Sequence, residues 1–410
     1  MMKKIFAFCP LLFCLSLAMA QDASNNPHQA DFELGSGLNF NFNEGNYQFR
    51  LGGMIQPSIS FEQAEDEDAD YFLNAKRTYF NFSGKAVQEK VSFFLQTNFS
   101  LSDPLLDAWV GFHPTEKFNL YFGQKQTVAN NREMMVMENY LQFPNRSLLS
   151  QNLSNTGREF GLFLDYEFGS DFLLIPQIAV TSGDGRNSFG SDSRDVDLGG
   201  LKYGARLDLY PLGAFAEGNH ESLADLAHEE SLKLVLGAAA SFNDGCSNQV
   251  GEGHGDFFLY NAKGENQLPD YRQLYSDLLL KYRGFSLLGE YAISSATNLN
   301  GTFLDLTANN ELDLTQISSF LALGTALNVQ LGYVTKKGYA LDIRYSSISP
   351  EFDQNAASIL IEQNAITLGL SKYLKGNDLK LQTSITSLST NITNEERQSL
   401  RGELLLSLSF

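Results

Sequence analysis

Nowhere does the chain carry the roughly 18 consecutive apolar residues of a membrane-spanning helix, so a helical membrane protein is excluded. Basic residues are scarce. There are 29 Lys and Arg against 48 Asp and Glu, a formal charge of −19, and such a surface repels nucleic acid. Histidine is rarer still, and His220, His228 and His254 fall in Gly- and Glu-rich connections without H-E-x-x-H spacing. There is no Gly-x-Ser-x-Gly elbow and no phosphate-cradling glycine loop, so catalysis has no positive support and no cofactor is expected. Only three cysteines and one tryptophan, Trp109, occur.

The first twenty residues read as a removed signal peptide. Met1-Met2-Lys3-Lys4 is a basic start, Ile5–Leu17 an apolar run, and Ala18-Met19-Ala20 a small-x-small cleavage site. Phe13 stands before Cys14 where a lipobox wants a small residue, which argues against a lipoprotein. Cleavage would take Cys9 and Cys14 with it. Cys246 would then be alone, an incidental residue with no disulfide and no thiolate metal site. Loss of Lys3 and Lys4 leaves 27 basic against 48 acidic residues, near −21.

What the chain has in abundance is alternation. In Ser399–Phe410 one face carries Leu400, Gly402, Leu404, Leu406, Leu408 and Phe410, the other mostly serine and charge. A terminal aromatic closing such a strand resembles the assembly signal of bacterial outer-membrane barrels. Strand-like segments recur along the chain between Gly/Asp/Asn/Ser clusters. They are Tyr47–Glu62, Phe72–Gly84, Val91–Ser100, Leu105–His113, Phe118–Gln124, Arg158–Phe168, Phe172–Ser182, Leu201–Tyr210, Leu232–Asn243, Tyr271–Arg283, Phe285–Ser294, Ser319–Val334, Tyr339–Ser347, Gln363–Leu374, Leu379–Ser389 and Ser399–Phe410. Sixteen is even, as a bacterial barrel with both ends in the periplasm requires, and connections alternate between short turns and long loops. Two fit imperfectly: Leu101–Pro104 is short for an outside loop, and Pro211–Ser231 is long for a periplasmic one. The expected fold is therefore all-β, a transmembrane antiparallel β-barrel over 47–410. Residues 21–46 read as an irregular lead-in or a partial plug.

Parity within strands assigns faces. Tyr339, Leu341, Ile343 and Tyr345 oppose Ala340, Asp342, Arg344 and Ser346. Ionised groups facing lipid cost kcal/mol at mid-bilayer, so Arg206, Asp208, Asp342 and Arg344 are expected to face a wet lumen. Arg77 shares a face with Tyr79, Asn81 and Ser83 and is likewise expected inside, whereas Lys76 falls on the other face as a snorkelling side chain near the rim.

A stretch within Lys76–Gly161 resembles the phosphate-selective porin O and P family. The similarity is carried by Ala75-Lys76-Arg77-Thr78-Tyr79-Phe80-Asn81-Phe82-Ser83-Gly84, Leu105-Leu106-Asp107-Ala108-Trp109-Val110, Leu120-Tyr121-Phe122-Gly123-Gln124-Lys125-Gln126-Thr127 and Thr156-Gly157-Arg158-Glu159-Phe160-Gly161. It implies a trimeric sixteen-stranded porin whose third outside loop, here Lys125–Gly157, folds into the lumen as a constriction. Its length and its Met134-Met135-Val136-Met137 run agree with a buried loop. Constriction candidates are Arg77, Lys125, Arg132, Arg146 and Arg158. The alternative for Arg132 and Arg146 is packing of the loop against acidic wall residues; for Arg158 it is a rim ion pair. The chain departs from the family in having Lys76-Arg77 rather than two arginines, and Glu133 and Glu138 in the loop, and mixed signs weaken anion selectivity.

The acidic run Glu62–Asp70 reads as a solvated charge run or as a divalent-cation bridge to lipopolysaccharide, and Ser182-Gly183-Asp184-Gly185 with Asp192, Asp195 and Asp197 lacks EF-hand spacing for calcium. The sequence thus points to an outer-membrane porin for small hydrophilic solutes or ions, anions such as phosphate among them. The expected partners are membrane lipid and lipopolysaccharide, the barrel-assembly machinery through Phe410, and two further copies of the chain. A plugged structural or adhesive barrel and an outer-membrane enzyme stand as alternatives.

Overall fold

The computed structural model describes residues 28–154, 157–186, 199–251, 255–352, 355–392 and 395–410; the expected signal peptide, and Asp192, Asp195 and Asp197, lie outside them. Two short strands, β1 (His28–Glu33) and β2 (Gly37–Phe42), precede a closed wall of sixteen. The first eight wall strands are β3 (Tyr47–Ala64), β4 (Asp70–Ala86), β5 (Val91–Asn98), β6 (Leu105–Thr115), β7 (Phe118–Gln126), β8 (Arg158–Tyr166), β9 (Leu173–Thr181) and β10 (Lys202–Tyr210). The remaining eight are β11 (Lys233–Asn243), β12 (Asp270–Tyr282), β13 (Phe285–Thr297), β14 (Gly324–Val334), β15 (Tyr339–Pro350), β16 (Glu362–Lys375), β17 (Leu379–Ile392) and β18 (Glu395–Ser409). Each pairs antiparallel with its neighbours, and β18 closes on β3 from Ser399↔Ala64 to Ser409↔Met54. All sixteen expected strands are present. The one large boundary error is at β14: Asp313 caps a 3-10 turn over Leu314–Ser319, and the strand begins only at Gly324.

The polarity of the wall is inverted relative to a soluble protein. On β15, Leu341 is 61% exposed while its neighbour Asp342 is 1% exposed. Leu331, Leu368, Leu370 and Ile385 are likewise exposed, while Gln330, Lys380, Gln382 and Ser407 are buried. An apolar outer belt around a polar interior needs lipid as its solvent, and strand closure satisfies every ladder hydrogen bond within it.

Residues 28–46 are not irregular. The β1–β2 hairpin pairs with the first residues of β3, Leu38↔Leu51 through Phe42↔Tyr47, and so continues the wall where β18 stops. The sequence signal was missed because Asn and Gly dominate the segment, although Leu38, Phe40 and Phe42 do alternate. At the junction Phe410 N–H donates to Gly53 O at 2.9 Å and Gly53 N–H donates to Phe410 O at 2.6 Å. A Cβ at Gly53 would collide with the Tyr79 carbonyl, so glycine is what admits this close approach.

The over-long connection 211–231 turns into the barrel from the short-turn end. Phe215 and Leu223 pack there with Val235, Leu279 and Leu288 of the wall. Buried Lys281 donates to the carbonyls of Asn219 and Ser222, at 2.5 Å each. A long turn that carries its own core has no need to lie in water.

Candidate functional site

Between β7 and β8 the chain crosses the lumen. It carries two short helices, α1 (Arg132–Met135) and α2 (Leu148–Leu153), with a 3-10 turn at Glu138–Tyr140. Val128, Asn131, Glu133, Leu141, Phe143, Leu149 and Leu153 are all nearly inaccessible. Ser147 caps α2, accepting from Ser150 N–H.

The wall is notched to receive this loop. Gly204, Gly237, Gly332 and Gly369 lie on β10, β11, β14 and β16 at inward positions. A Cβ at Gly204 would rest against Val128 and Ala129. At Gly237 it would meet Arg132, Arg206 and Asp277; at Gly332, Gln142 and Asp342; at Gly369, Phe143. All four have extended backbone; at Gly237, Gly332 and Gly369 space rather than conformation explains the glycine, whereas a Cβ at Gly204 would be in ordinary contact.

Polar contacts complete the seat. Arg132 places Nε 2.6 Å from Asp277 and Nη2 2.6 Å from Asp208. Arg206 reaches the same two carboxylates at 2.7 and 2.8 Å. Glu133 accepts from Ser147 N–H, Ser147 Oγ–H and Ser150 Oγ–H at 2.7, 2.7 and 2.6 Å, with Arg344 3.3 Å from its other oxygen. Gln142 Nε2 donates to Asp342 at 2.7 Å. Arg146 pairs with Glu138 at 2.8 Å, and Arg158 with Asp107 at 3.1 Å. Burial works to raise the Glu138 carboxyl, but Arg146, then Arg77 and Arg158, outweigh it and hold it down at about 2.

Arg206, Asp208, Asp342 and Arg344 therefore point inward, but into loop rather than water. The expectation that lumen charge needs solvent is corrected: here opposite charge and amides supply the partners. The same holds for Arg132, Arg146 and Arg158, all three tied to carboxylates. Arg77 differs, since it donates to Gln56 Oε1 at 2.8 Å and Pro144 O at 3.2 Å, both neutral. Lys125 stands over the rings of Tyr121 and Phe163, 4.8 and 5.7 Å from their centroids, and has no carboxylate within ion-pair distance among the described residues.

Lys76 also faces the lumen, contrary to its parity. Register slips between Gln56↔Arg77 and Pro57↔Ala75, so Lys76 is the extra residue of a β-bulge and both members of the basic pair turn inward. Its Nζ lies 2.6 Å from Glu403 and donates to Asn145 of the loop at 2.5 Å. Pro57, which has no N–H to offer the ladder, was the sequence sign of that bulge. A further buried pair, Lys202–Glu159 at 2.9 Å, escaped the sequence reading. Cys246 is buried, and burial pushes its thiol up to about 12, which leaves it unreactive.

No protein-family model matches the chain, and no curated protein matches it in sequence. Solved structures do. The outer membrane channel DcaP of Acinetobacter baumannii superposes with a TM-score of 0.53 at 12% identity, over 90% of this chain and 98% of that one. OprB of Pseudomonas putida, in a high-pH structure, gives 0.49 at 11%, over 89% and 94%. OmpT, an outer membrane protein of Vibrio cholerae in its trimer form, gives 0.49 at 10%, over 89% and 99%. The likeness to DcaP establishes the fold of an outer-membrane barrel.

Proposed function

We propose that the chain is an outer-membrane porin of narrow bore, passing small hydrophilic solutes or ions by diffusion past the loop between β7 and β8. The observation that carries this reading is the closed, inside-out barrel, with its polar interior crossed by one long loop. Arg77 and Lys125 are half-buried cations beside this loop with no ion pair among the described residues. They support a weak anion preference, and a phosphate preference would draw on them. Removal of residues 1–20, insertion through Phe410, contact with lipopolysaccharide and assembly as a trimer belong to the same proposal.

The test is single-channel conductance of refolded protein in a planar bilayer under a salt gradient. Stepwise current supports the porin, and the sign of the reversal potential gives its selectivity. Silence from a folded, heat-modifiable barrel would instead support a plugged structural barrel. The glycine notches and buried ion pairs that seat the loop favour that second reading. An enzyme is disfavoured on geometry. Ser92 Oγ and His113 Nε2 lie 2.7 Å apart and His113 Nδ1 is 2.6 Å from Asn119 Oδ1, the outline of a hydrolytic triad. However, Ser92 lies within β5, paired with Lys85 on β4 and Gly111 on β6, so its own backbone is committed to the ladder rather than turned toward an oxyanion.

A further inference from the structure

At the short-turn end the connection 211–231 packs under β11–β13 through Phe215 and Leu223 and under β14–β16 through Ala224 and Leu226. The opposite side, enclosed by β1 to β7, is an open cavity of about 640 Å³. That lies within the roughly 300–1,000 Å³ of small-molecule sites.

Its wall contains something a water-filled channel does not need. Phe94, Trp109 and Tyr121 project inward from β5, β6 and β7, half-exposed, in a cavity that Phe49 and Phe93 also line. The Phe94 and Trp109 centroids are 5.8 Å apart, and those of Trp109 and Tyr121 are 5.0 Å apart with rings at 81°. The aromatic strip is fixed from behind. Ser92, His113, Asn119 and Asp165 form a continuous hydrogen-bonded row at 2.7, 2.6 and 2.6 Å, which holds the His113 ring 5.6 Å from Tyr121. Rigid half-exposed rings are apolar area kept ready for a ligand.

The rest of the cavity defines what the ligand is. Asn39, Asn41 and Gln48 offer planar amides that both donate and accept, and Arg50 offers a guanidinium fork already set by Asn39 Oδ1 at 3.1 Å. Asp31 and Glu33 balance Arg50 and Lys85 in formal charge. A lining of balanced charge gives an anion no net attraction. Aromatic faces beside paired donors and acceptors match instead a molecule with an apolar C–H face and hydroxyl edges.

We propose that this vestibule binds neutral pyranose sugars, stacked on Trp109 between Phe94 and Tyr121 and hydrogen-bonded by Asn39, Asn41, Gln48 and Arg50. The proposal deepens the porin reading by naming a solute class, and it rests on that reading for its physiological sense.

Trp109 is the only tryptophan in the chain, so its fluorescence in detergent micelles reports this site without requiring any current. The titrants are glucose, maltotriose and cellotriose, with inorganic phosphate alongside. Expected is a saturable change with the trisaccharides at millimolar concentration and none with phosphate. Tyr121→Ala and Phe94→Ala, each first shown to be heat-modifiable, should weaken it about three- to tenfold, the worth of one aromatic partner. A flat titration with all three sugars up to about 100 mM would overturn the proposal. So would an unchanged response in both folded variants, or an equal response to phosphate. Conductance of the same preparation separates the two readings: current without a sugar response removes this site and keeps the porin, and a sugar response without current does the reverse.

Discussion

Arg132 of the lumen-crossing loop places its Nε 2.6 Å from Oδ1 of Asp277 on β12, and Arg206 of β10 holds the other oxygen of the same carboxylate at 2.7 Å. One wall carboxylate thus secures both a loop cation and a wall cation, with Asp208 as their second shared acceptor. Removing Asp277 leaves two buried guanidinium groups on one carboxylate. Breaking a buried pair of this kind costs about 3–5 kcal/mol. Asp277→Asn should therefore lower the denaturation midpoint of the refolded barrel, and change its selectivity only if the loop moves. An unchanged midpoint would show that the cluster does not hold the loop.

The glycine notches make a separate prediction. A methyl group at Gly237 or Gly369 would press on Arg132 or Phe143 and displace the loop from the wall. Overpacking of this kind costs about 1–3 kcal/mol. We expect Gly237→Ala and Gly369→Ala to give larger or noisier single-channel conductance. Gly289→Ala is the control: its Cβ meets only Leu278, at ordinary contact distances from 3.5 Å. If all three variants conduct alike, the notches are incidental to loop seating.

Glu138 sets an acid limit. Its carboxyl is held down at about 2, below the ordinary value near 4.3, so its contribution is complete above that ordinary value. The contribution is lost as pH falls toward about 2. Selectivity should accordingly remain level on acidification through pH 4 as far as this group is concerned, and shift toward anions only nearer pH 2. Glu138→Gln should produce that shift at neutral pH, by releasing Arg146 and leaving Arg77 and Arg158 less compensated. Reversal potentials of both proteins across the pH range check the sign.

The wall was legible from sequence because its signal is local and repeated. Leu341 and Asp342 declare their faces by parity alone, and sixteen such strands fix the closure. The loop's place in the lumen was implied by the family resemblance, with its length and its methionines in agreement. Its partners were not, because Asp277 and Glu403 lie far along the chain from Arg132 and Lys76, and only the closed barrel brings them together. Parity itself misled at Lys76, where a bulge opposite Gln56 and Pro57 turns two successive residues inward. The glycine notches were visible as inward-parity glycines, but one chain cannot show which of its 34 glycines leave room for another segment.

Partnered and unpartnered cations should behave differently on mutation, and this contrast tests the selectivity reading most directly. Arg77 donates only to neutral groups, with the Glu138 carboxylate acting on it from nearby, and Lys125 rests on two aromatic rings, so neither is held in an ion pair among the described residues. Arg77→Gln and Lys125→Gln should move the reversal potential toward cations while leaving the denaturation midpoint within about 1 kcal/mol of the parent, because neither breaks an ion pair. Arg132→Gln should do the opposite. Its charge is already spent on Asp208 and Asp277, so selectivity changes only if the loop moves, while stability falls by about 3–5 kcal/mol. The decisive data are reversal potentials and denaturation midpoints measured on the same three proteins. Equal selectivity shifts in all three would mean that the lumen senses total charge rather than the two half-buried, unpaired cations, and the assignment of Arg77 and Lys125 to the solute path would fail.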